Sequence, residues 1–329
     1  MKKIFTLIIV MSGLPACSTG TLGERGQIWC NERYRENVNW NPATGQAAKN
    51  GYMYALAAAL VLQAEGPDDK EAQAHYFGQP SRLERIDSPG RTKSGFEVTT
   101  FRLKPFVKEQ QEEIIIAFAG SNDRSDWITT NLNPFGRDQY DEATAYTAKM
   151  LKDPRVQGRK VVLTGISLGG GLAIHVLKNP ELVPLIDEAW ALNPSPKIYS
   201  PYPATEEMKN KTWMAYSDNE ILEWGRSGFM TAILSGAYKI EAPESQTAVL
   251  GLIESNRIYA HFRWGIARQM LWIADFEKLK DEKSNNAWTE PYAILQDSNF
   301  LACKSERPKY KIINELQPIG SPPDYSGID

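Results

Sequence analysis

One serine lies in a glycine-rich turn between an apolar run and a run of small residues, and few folds can hold such a turn. Residues 160–163 have the character of a buried strand, and residues 170–177 have the composition of a helix. The segment between them, Gly165-Ile166-Ser167-Leu168-Gly169, matches the nucleophile elbow, in which the serine hydroxyl is exposed at the edge of a sheet. The glycines remove side chains that would clash there. The pattern predicts a nucleophile at Ser167, although a glycine-rich connection in another α/β protein also fits it.

A serine nucleophile needs a base, and the chain has only three histidines, His75, His175 and His261. In proteins with this elbow, the acid and then the histidine follow the serine in chain order. His75 precedes the serine, and the helix expected after the elbow carries His175 away from it. His261 satisfies the order and begins an apolar pattern of helical period. We therefore predict His261 as the base.

The orienting acid is expected at the end of a strand that lies between the serine and the histidine in the chain. Residues 212–216 form an apolar run of β-prone side chains, and Asp218 follows it closely. We predict Asp218 as the acid that accepts the Nδ1 proton, fixes the tautomer and stabilises the imidazolium. Glu220 in the same turn is an alternative, and Asp187 is a more distant one.

Acyl transfer also needs hydrogen-bond donors for the oxyanion. The backbone N–H of Leu168 follows the serine at a helix N-terminus, where the helix dipole favours negative charge. Residues 113–118 have the character of a buried strand, which is followed by a glycine and Ser121. The N–H of Ser121, together with its hydroxyl, is the candidate second donor. Loss of one such donor typically lowers the rate by about 10²–10³.

These motifs, in this order, resemble the class 3 (fungal-type) lipase family of the α/β-hydrolase fold. In that family a strand ends Phe-Arg-Gly-Thr/Ser, an Asp-Trp pair follows, and Thr-Gly-His-Ser-Leu-Gly-Gly-Ala-Leu-Ala comes later. The corresponding segments of this chain are Phe118-Ala119-Gly120-Ser121, Asp126-Trp127, Thr164-Gly165-Ile166-Ser167-Leu168-Gly169-Gly170-Gly171-Leu172-Ala173 and, after the next strand, Asn193-Pro194-Ser195-Pro196.

The resemblance implies a serine hydrolase of lipid carboxylic esters, of lipase or phospholipase type, that forms an acyl-enzyme on Ser167. Asp218 and His261 fall where the family has its acid and base. Ala119 replaces the family's Arg, and Ile166 replaces its His. Neither position belongs to the proton relay, so the two departures concern the substrate rather than the chemistry.

Two other functions are compatible with the same residues. The chain could be a catalytically inactive envelope lipoprotein that uses the fold to bind a lipid or a protein, although such a scaffold has no need of a serine, an acid and a histidine together. It could also be an acyltransferase, in which an alcohol replaces water as the acyl acceptor.

The N-terminus, residues 1–16, resembles the leader of a bacterial lipoprotein. Two lysines precede an apolar run that is too short to span a bilayer as a mature helix. A Leu-Pro-Ala sequence then precedes Cys17, which would be acylated and become the new N-terminus. Ser18 after it favours the outer membrane, with the protein anchored by lipid and facing the periplasm. An ordinary secretory signal is the alternative.

The remaining cysteines, Cys30 and Cys303, either form a disulfide in an oxidising envelope or remain two buried thiols. The formal net charge of −3 argues against nucleic-acid binding. The sequence has no Cys/His cluster with zinc spacing and no phosphate-binding loop, so we expect no cofactor and no metal. The expected partners are a lipid or ester substrate and the membrane, and no protein partner is deducible.

Strands alternate with helices along the chain, which predicts an α/β fold with a mostly parallel central sheet covered by helices on both faces. Residues 17–50 are expected to form a tether and N-terminal arm, residues 51–305 the hydrolase domain, and residues 306–329 an extended tail. A buried helix is expected at residues 52–63. Segments 229–237 and 247–253 are expected to form a helical insertion between the acid and the histidine, and residues 129–138 a short lid or an ordinary connection.

Overall fold

A computed structural model of the chain describes residues 26–28, 41–63, 75–106, 110–120, 137–196, 198–218, 220–222, 240–251, 253–255, 257–281 and 289–300. Its helices are α1 (Pro42–Leu60), α2 (Asp138–Met150), α3 (Leu168–Leu177), α4 (Glu206–Lys211), α5 (Arg257–His261), α6 (Arg263–Asp281) and α7 (Glu290–Gln296). Its strands are β1 (Gly26–Ile28), β2 (His75–Tyr76), β3 (Leu83–Asp87), β4 (Val98–Leu103), β5 (Glu113–Phe118), β6 (Lys160–Ile166), β7 (Glu188–Leu192), β8 (Thr212–Ser217), β9 (Thr247–Leu250), β10 (Ile253–Ser255) and β11 (Asn299–Phe300).

Seven strands form one sheet, in the order β3-β4-β5-β6-β7-β8-β9. Strands β5 to β9 run parallel to one another, whereas β4 is antiparallel to both of its neighbours. Parallel neighbours need crossover connections, which place helices on the faces of the sheet. The predicted fold, an α/β-hydrolase with a mostly parallel sheet flanked by helices, is confirmed.

The interior strand β5 shows how the sheet is buried on both faces. Ile115 and Ala117 pack into a hydrophobic core that contains α1 and α6, whereas Ile114, Ile116 and Phe118 pack into a second core that contains α2 and α3. Side chains alternate between the faces of a strand, so a strand covered on both sides is an unbroken apolar run. The continuous run in the sequence therefore indicated an interior position correctly.

Helix α1 begins earlier than the sequence predicted. The structure places its first residue at Pro42, and the side chain of Asn41 caps it by accepting from the Ala43 N–H at 2.9 Å. Proline fits the first turn because it lacks an N–H that would remain unpaired there. The predicted boundary between arm and domain at residue 51 therefore falls inside this helix. Strand β1, from the predicted arm, also pairs with β10.

The predicted helical insertion is wrong over residues 247–253, where the structure has strands β9 and β10. Ala248 and Leu250 are buried, whereas Val249 between them is 43% exposed, which is the two-residue alternation of a strand at the sheet edge. A short apolar run cannot be assigned to helix or strand by periodicity alone. The other segment of the insertion, residues 229–237, lies outside the described residues.

The other predicted elements agree with the structure to within a few residues. The strands expected at residues 113–118, 160–163 and 212–216 correspond to β5, β6 and β8, and the helix expected at 170–177 corresponds to α3. The predicted leader, 1–16, and the tail, 306–329, lie outside the described residues. Within the described part of the chain, none of the helices combines the length and apolarity that crossing a bilayer requires.

Gly51 provides a test of how tightly α1 packs on the sheet. A Cβ at this position would lie 2.2 Å from Cζ3 of Trp190. The indole of Trp190 cannot move away easily, because it stacks on Trp213 with ring centroids 4.7 Å apart and donates to Glu188 at 2.8 Å. We expect Gly51→Ala to lower the free energy of unfolding by about 1–3 kcal/mol, despite the better helix propensity of alanine.

Denaturant unfolding, with the midpoint and slope fitted together, measures this change. Gly251→Ala is the matched control, because a Cβ at that position meets nothing within 4 Å. Equal stabilities of the two variants would contradict the tight packing of α1 on the indole.

Candidate active site

Ser167 sits in a strained turn between β6 and α3. Its φ of 58° and ψ of −119° are sparsely populated for a residue with a side chain, at a cost of about 1–3 kcal/mol. The turn is held by its own backbone: the Ser167 N–H donates to the Leu192 carbonyl at 2.9 Å, and the Ser167 carbonyl accepts from the N–H groups of Ser195 at 2.8 Å and Gly171 at 3.2 Å. The strand, turn and helix predicted around this serine are therefore present.

Two glycines allow the turn to close. A Cβ at Gly165 would lie 2.2 Å from the carbonyl carbon of Gly169, and a Cβ at Gly169 would lie 2.2 Å from the Phe118 carbonyl oxygen. The contacting atoms belong to the backbone and cannot rotate away. Glycine at both positions is thus a steric requirement for placing the serine at the end of β6.

The structure brings the serine hydroxyl, an imidazole and a carboxylate into one hydrogen-bonded line. His261 Nε2 lies 2.8 Å from Ser167 Oγ, and His261 Nδ1 lies 2.6 Å from Glu220 Oε2. All three side chains are buried. Because an ionised carboxylate can only accept, the proton of a neutral imidazole lies on Nδ1, and Nε2 is left to accept the proton of the hydroxyl. This is the arrangement that activates a serine as a nucleophile.

The carboxylate in this line belongs to Glu220 and not to Asp218, so the predicted acid is wrong and its alternative in the same turn takes its place. Ser217, the last residue of β8, is buried, and the next position along the strand points outward, so Asp218 is exposed. The chain then turns back, and Glu220 is buried with its Oε2 also accepting from the Leu222 N–H at 2.8 Å.

The remaining candidates lie elsewhere. Asp187 accepts from the Val161 N–H at 2.7 Å near the start of β6, at the opposite end of that strand from the serine. The Nδ1 of His175 bonds to the Ile198 carbonyl at 2.7 Å, and its ring meets Tyr140 edge-on with centroids 5.0 Å apart. His75 lies in β2.

The histidine lies where a short helix meets a long one. His261 is the last residue of α5, and α6 begins two residues later at Arg263. The single helical pattern expected from His261 onward is thus interrupted at Phe262. This break leaves the imidazole at the junction of the helices, where it faces the turn that contains the serine.

The oxyanion donors are described in part. Leu168 is the first residue of α3, where backbone N–H groups have no partner within the helix. Ser121 lies outside the described residues, but the chain leading to it passes beside the serine: a Cβ at Gly120 would lie 2.8 Å from the Ile166 carbonyl oxygen and 3.5 Å from Ser167 Cβ. The end of β5 therefore runs alongside the turn, as a second donor requires.

Several predicted features fall outside the described residues: the lipidation site Cys17, the cysteine pair Cys30 and Cys303, the Asp126-Trp127 motif and the segment expected to form a lid up to residue 136. Among the residues that are described, no group of three or more His, Cys, Asp or Glu side chains is arranged to hold a metal ion.

Comparison with known protein families finds a match over part of the chain. The model of a phospholipase-like family, the Tle-like phospholipase domain, matches residues 55–178, which run from α1 through the serine to the end of α3 and make up less than half of the chain. No curated protein matches the chain in sequence.

Solved structures with a similar arrangement include lipases and an esterase. The Lip2 lipase of Yarrowia lipolytica has 14% identity and a TM-score of 0.39, over 62% of this chain and 79% of the lipase. The Rhizomucor miehei triacylglyceride lipase has 12% identity and a TM-score of 0.41, over 66% and 94%. A thermostable esterase of Pseudomonas putida has 12% identity and a TM-score of 0.34, over 80% and 94%. At TM-scores below 0.5, these neighbours add no weight to the assignment of site residues.

His175 lies outside the hydrogen-bonded line, and its burial can be tested by measuring how the stability of the protein depends on pH. Burial is the largest influence on this ring and lowers the pKa of His175 below its ordinary value. The unfolded chain therefore binds this proton at a higher pH than the folded chain does. Its contribution to stability is complete above about pH 6.5 and is lost as the pH falls below that value.

We expect His175→Asn to be less stable than wild type at pH 8, because the ring contact with Tyr140 is lost. The stability difference should narrow between pH 6.5 and 5, since only the wild type carries this titration. Urea unfolding of both proteins at three pH values measures the effect. A difference that stays constant with pH would show that this ring does not titrate as its burial requires.

Proposed function

We propose that this protein is a serine hydrolase that cleaves carboxylic esters of lipids through Ser167, His261 and Glu220. The observation that carries the proposal is the continuous hydrogen-bonded line from the Ser167 hydroxyl through the imidazole to the buried carboxylate, at a strained turn between strand and helix. The phospholipase-like family match, which includes the serine, supports the same class of reaction.

The proposed reaction begins when Ser167 Oγ attacks the ester carbonyl while His261 Nε2 takes the hydroxyl proton. Glu220 holds the imidazolium in place and stabilises its charge. The tetrahedral oxyanion accepts from the Leu168 N–H and the proposed Ser121 donor. The carbon–oxygen bond to the alcohol then breaks, His261 returns the proton to the departing alcohol, and an acyl-enzyme remains. Water, deprotonated by the same imidazole, releases the carboxylic acid.

We propose a membrane phospholipid as the substrate class, with the enzyme held at the bilayer by acylation of Cys17 after removal of residues 1–16. The matching family model is named for phospholipases, and the leader-like N-terminus supports anchoring on the periplasmic side of the outer membrane. Acyl chains contribute about 0.8 kcal/mol of membrane affinity per buried CH₂, so more than one chain gives a stable anchor. An anchored enzyme meets its substrate without first partitioning from solution.

The first test is Ser167→Ala, assayed on a soluble short-chain ester and on phospholipid vesicles. We expect hydrolysis of both substrates and labelling by a fluorophosphonate to disappear, because the attacking oxygen is removed. Undiminished hydrolysis by the variant would defeat the proposal. Failure of the wild type to react with the probe would favour an inactive binding module, and ester products formed with an added alcohol would indicate acyl transfer.

The second test uses two acids of one turn as a matched pair. Glu220→Gln should lower kcat by about 10²–10⁴, because an amide neither fixes the required tautomer nor stabilises the imidazolium. Asp218→Asn should leave kcat unchanged, since this exposed side chain lies outside the hydrogen-bonded line. Steady-state kinetics on the soluble ester measures both variants. The reverse order of sensitivity would return the acid role to Asp218.

A further inference from the structure

Asn193 is a fully buried amide beside the hydrogen-bonded line of the site. It follows β7 directly, is 0% exposed and has a φ of 41°, in the left-handed region. Its Oδ1 accepts from the Ser217 N–H at 2.7 Å, and its Nδ2 donates to the carbonyl oxygens of Ala260 and His261, each at 3.1 Å. The acceptor and the amino group of this side chain are thus both used on backbone atoms.

These bonds connect Asn193 to the segments that carry the acid and the base. Ser217 ends β8, and Glu220 lies three residues later in the turn that follows. The carbonyl of His261 belongs to the residue whose imidazole faces the serine. A displacement of the Asn193 side chain would therefore move both the His261 imidazole and the start of the turn that contains Glu220.

The backbone around Asn193 also holds the serine. Leu192, one residue before it, accepts from the Ser167 N–H, and Ser195, two residues after it, donates to the Ser167 carbonyl. The short segment from Leu192 to Ser195 thus contacts Ser167 through its backbone, and it contacts the backbone of His261 through the Asn193 side chain.

We propose that Asn193 is the positioning residue of the proton relay: it fixes the backbone of His261 relative to Ser167 and to the turn of Glu220. The inference rests on the proposed hydrolase function and deepens it. The Asn193 side chain bonds to backbone atoms and not to the hydroxyl, imidazole and carboxylate of the proton relay, so it acts through the backbone of His261. A misplacement of about 1 Å in a catalytic group can cost on the order of 10² in rate.

Few residue types meet both demands at this position. A φ of 41° is tolerated by glycine, asparagine and aspartate. Glycine has no side chain to bond with, and an ionised aspartate would place an acceptor against the carbonyls of Ala260 and His261. Asparagine alone among the three keeps the acceptor and the donor in one short planar group.

The experiment compares Asn193→Gly and Asn193→Asp with wild type on a soluble short-chain ester. Both replacements tolerate the left-handed backbone, so a loss of activity reports the lost side-chain hydrogen bonds rather than backbone strain. We expect kcat to fall by about 10², KM to change little, and the rate of fluorophosphonate labelling to fall in parallel. Gly51→Ala is the control for lowered stability alone and should keep the wild-type kcat at a temperature where it is folded.

A second readout does not require turnover. The His261 Nδ1–H bonded to Glu220 should give a low-field proton NMR signal that is absent from His261→Ala, and we expect this signal to shift or broaden in Asn193→Asp. Wild-type kcat in the folded Asn193 variants, or an unmoved signal, would overturn the positioning role. A wild type that neither hydrolyses esters nor reacts with the fluorophosphonate would instead overturn the proposed function, and the NMR comparison would still test the geometry.

Discussion

The site depends on the backbone hydrogen bonds that hold Ser167 in a conformation it would not adopt alone. A serine at φ 58° is unfavourable by about 1–3 kcal/mol, and the bonds to Leu192, Gly171 and Ser195 are the contacts that hold it there. Most of them come from the neighbouring strand β7 and the residues just after it. The serine at the end of β6 is therefore held by the neighbouring strand, and its position depends on the hydrogen bonds between two central strands of the sheet.

The parallel sheet explains why distant parts of the chain meet at this point. Ile166 pairs with Leu192, and Leu192 pairs with Ala215, so the carboxyl ends of β6, β7 and β8 lie side by side. The nucleophile, the Asn193 amide and the turn of the acid follow these ends in succession. His261 comes from the helices outside the sheet. Its backbone carbonyl accepts a hydrogen bond from the side-chain amide of Asn193, which follows β7.

The sequence was sufficient to locate the turn, most of the strands and helices, and the histidine that faces the serine, because each follows from a local pattern or from chain order. It was not sufficient for the acid. Asp218 follows a β-prone run as expected, yet one residue decides which face of a strand a side chain occupies, and the return of the chain to Glu220 depends on tertiary contacts such as the bond to Leu222. The role of Asn193 was hidden for the same reason, since its bonds join residues far apart in the chain. Residues 247–253 were misassigned because so short an apolar run carries too little periodicity.

The proposed acid is a glutamate, which changes what must be held in place. A glutamate side chain has one more rotatable bond than aspartate, so more side-chain freedom is lost when it is fixed. Here that freedom is removed by complete burial and by a bond from the Leu222 N–H to the same oxygen that meets the imidazole. The turn that contains Glu220 is in turn bonded at its start to the Asn193 amide. A longer side chain therefore requires a fixed turn, and the Asn193 side chain that bonds to the start of this turn also bonds to the carbonyl of His261, which is the geometry on which its proposed positioning role rests.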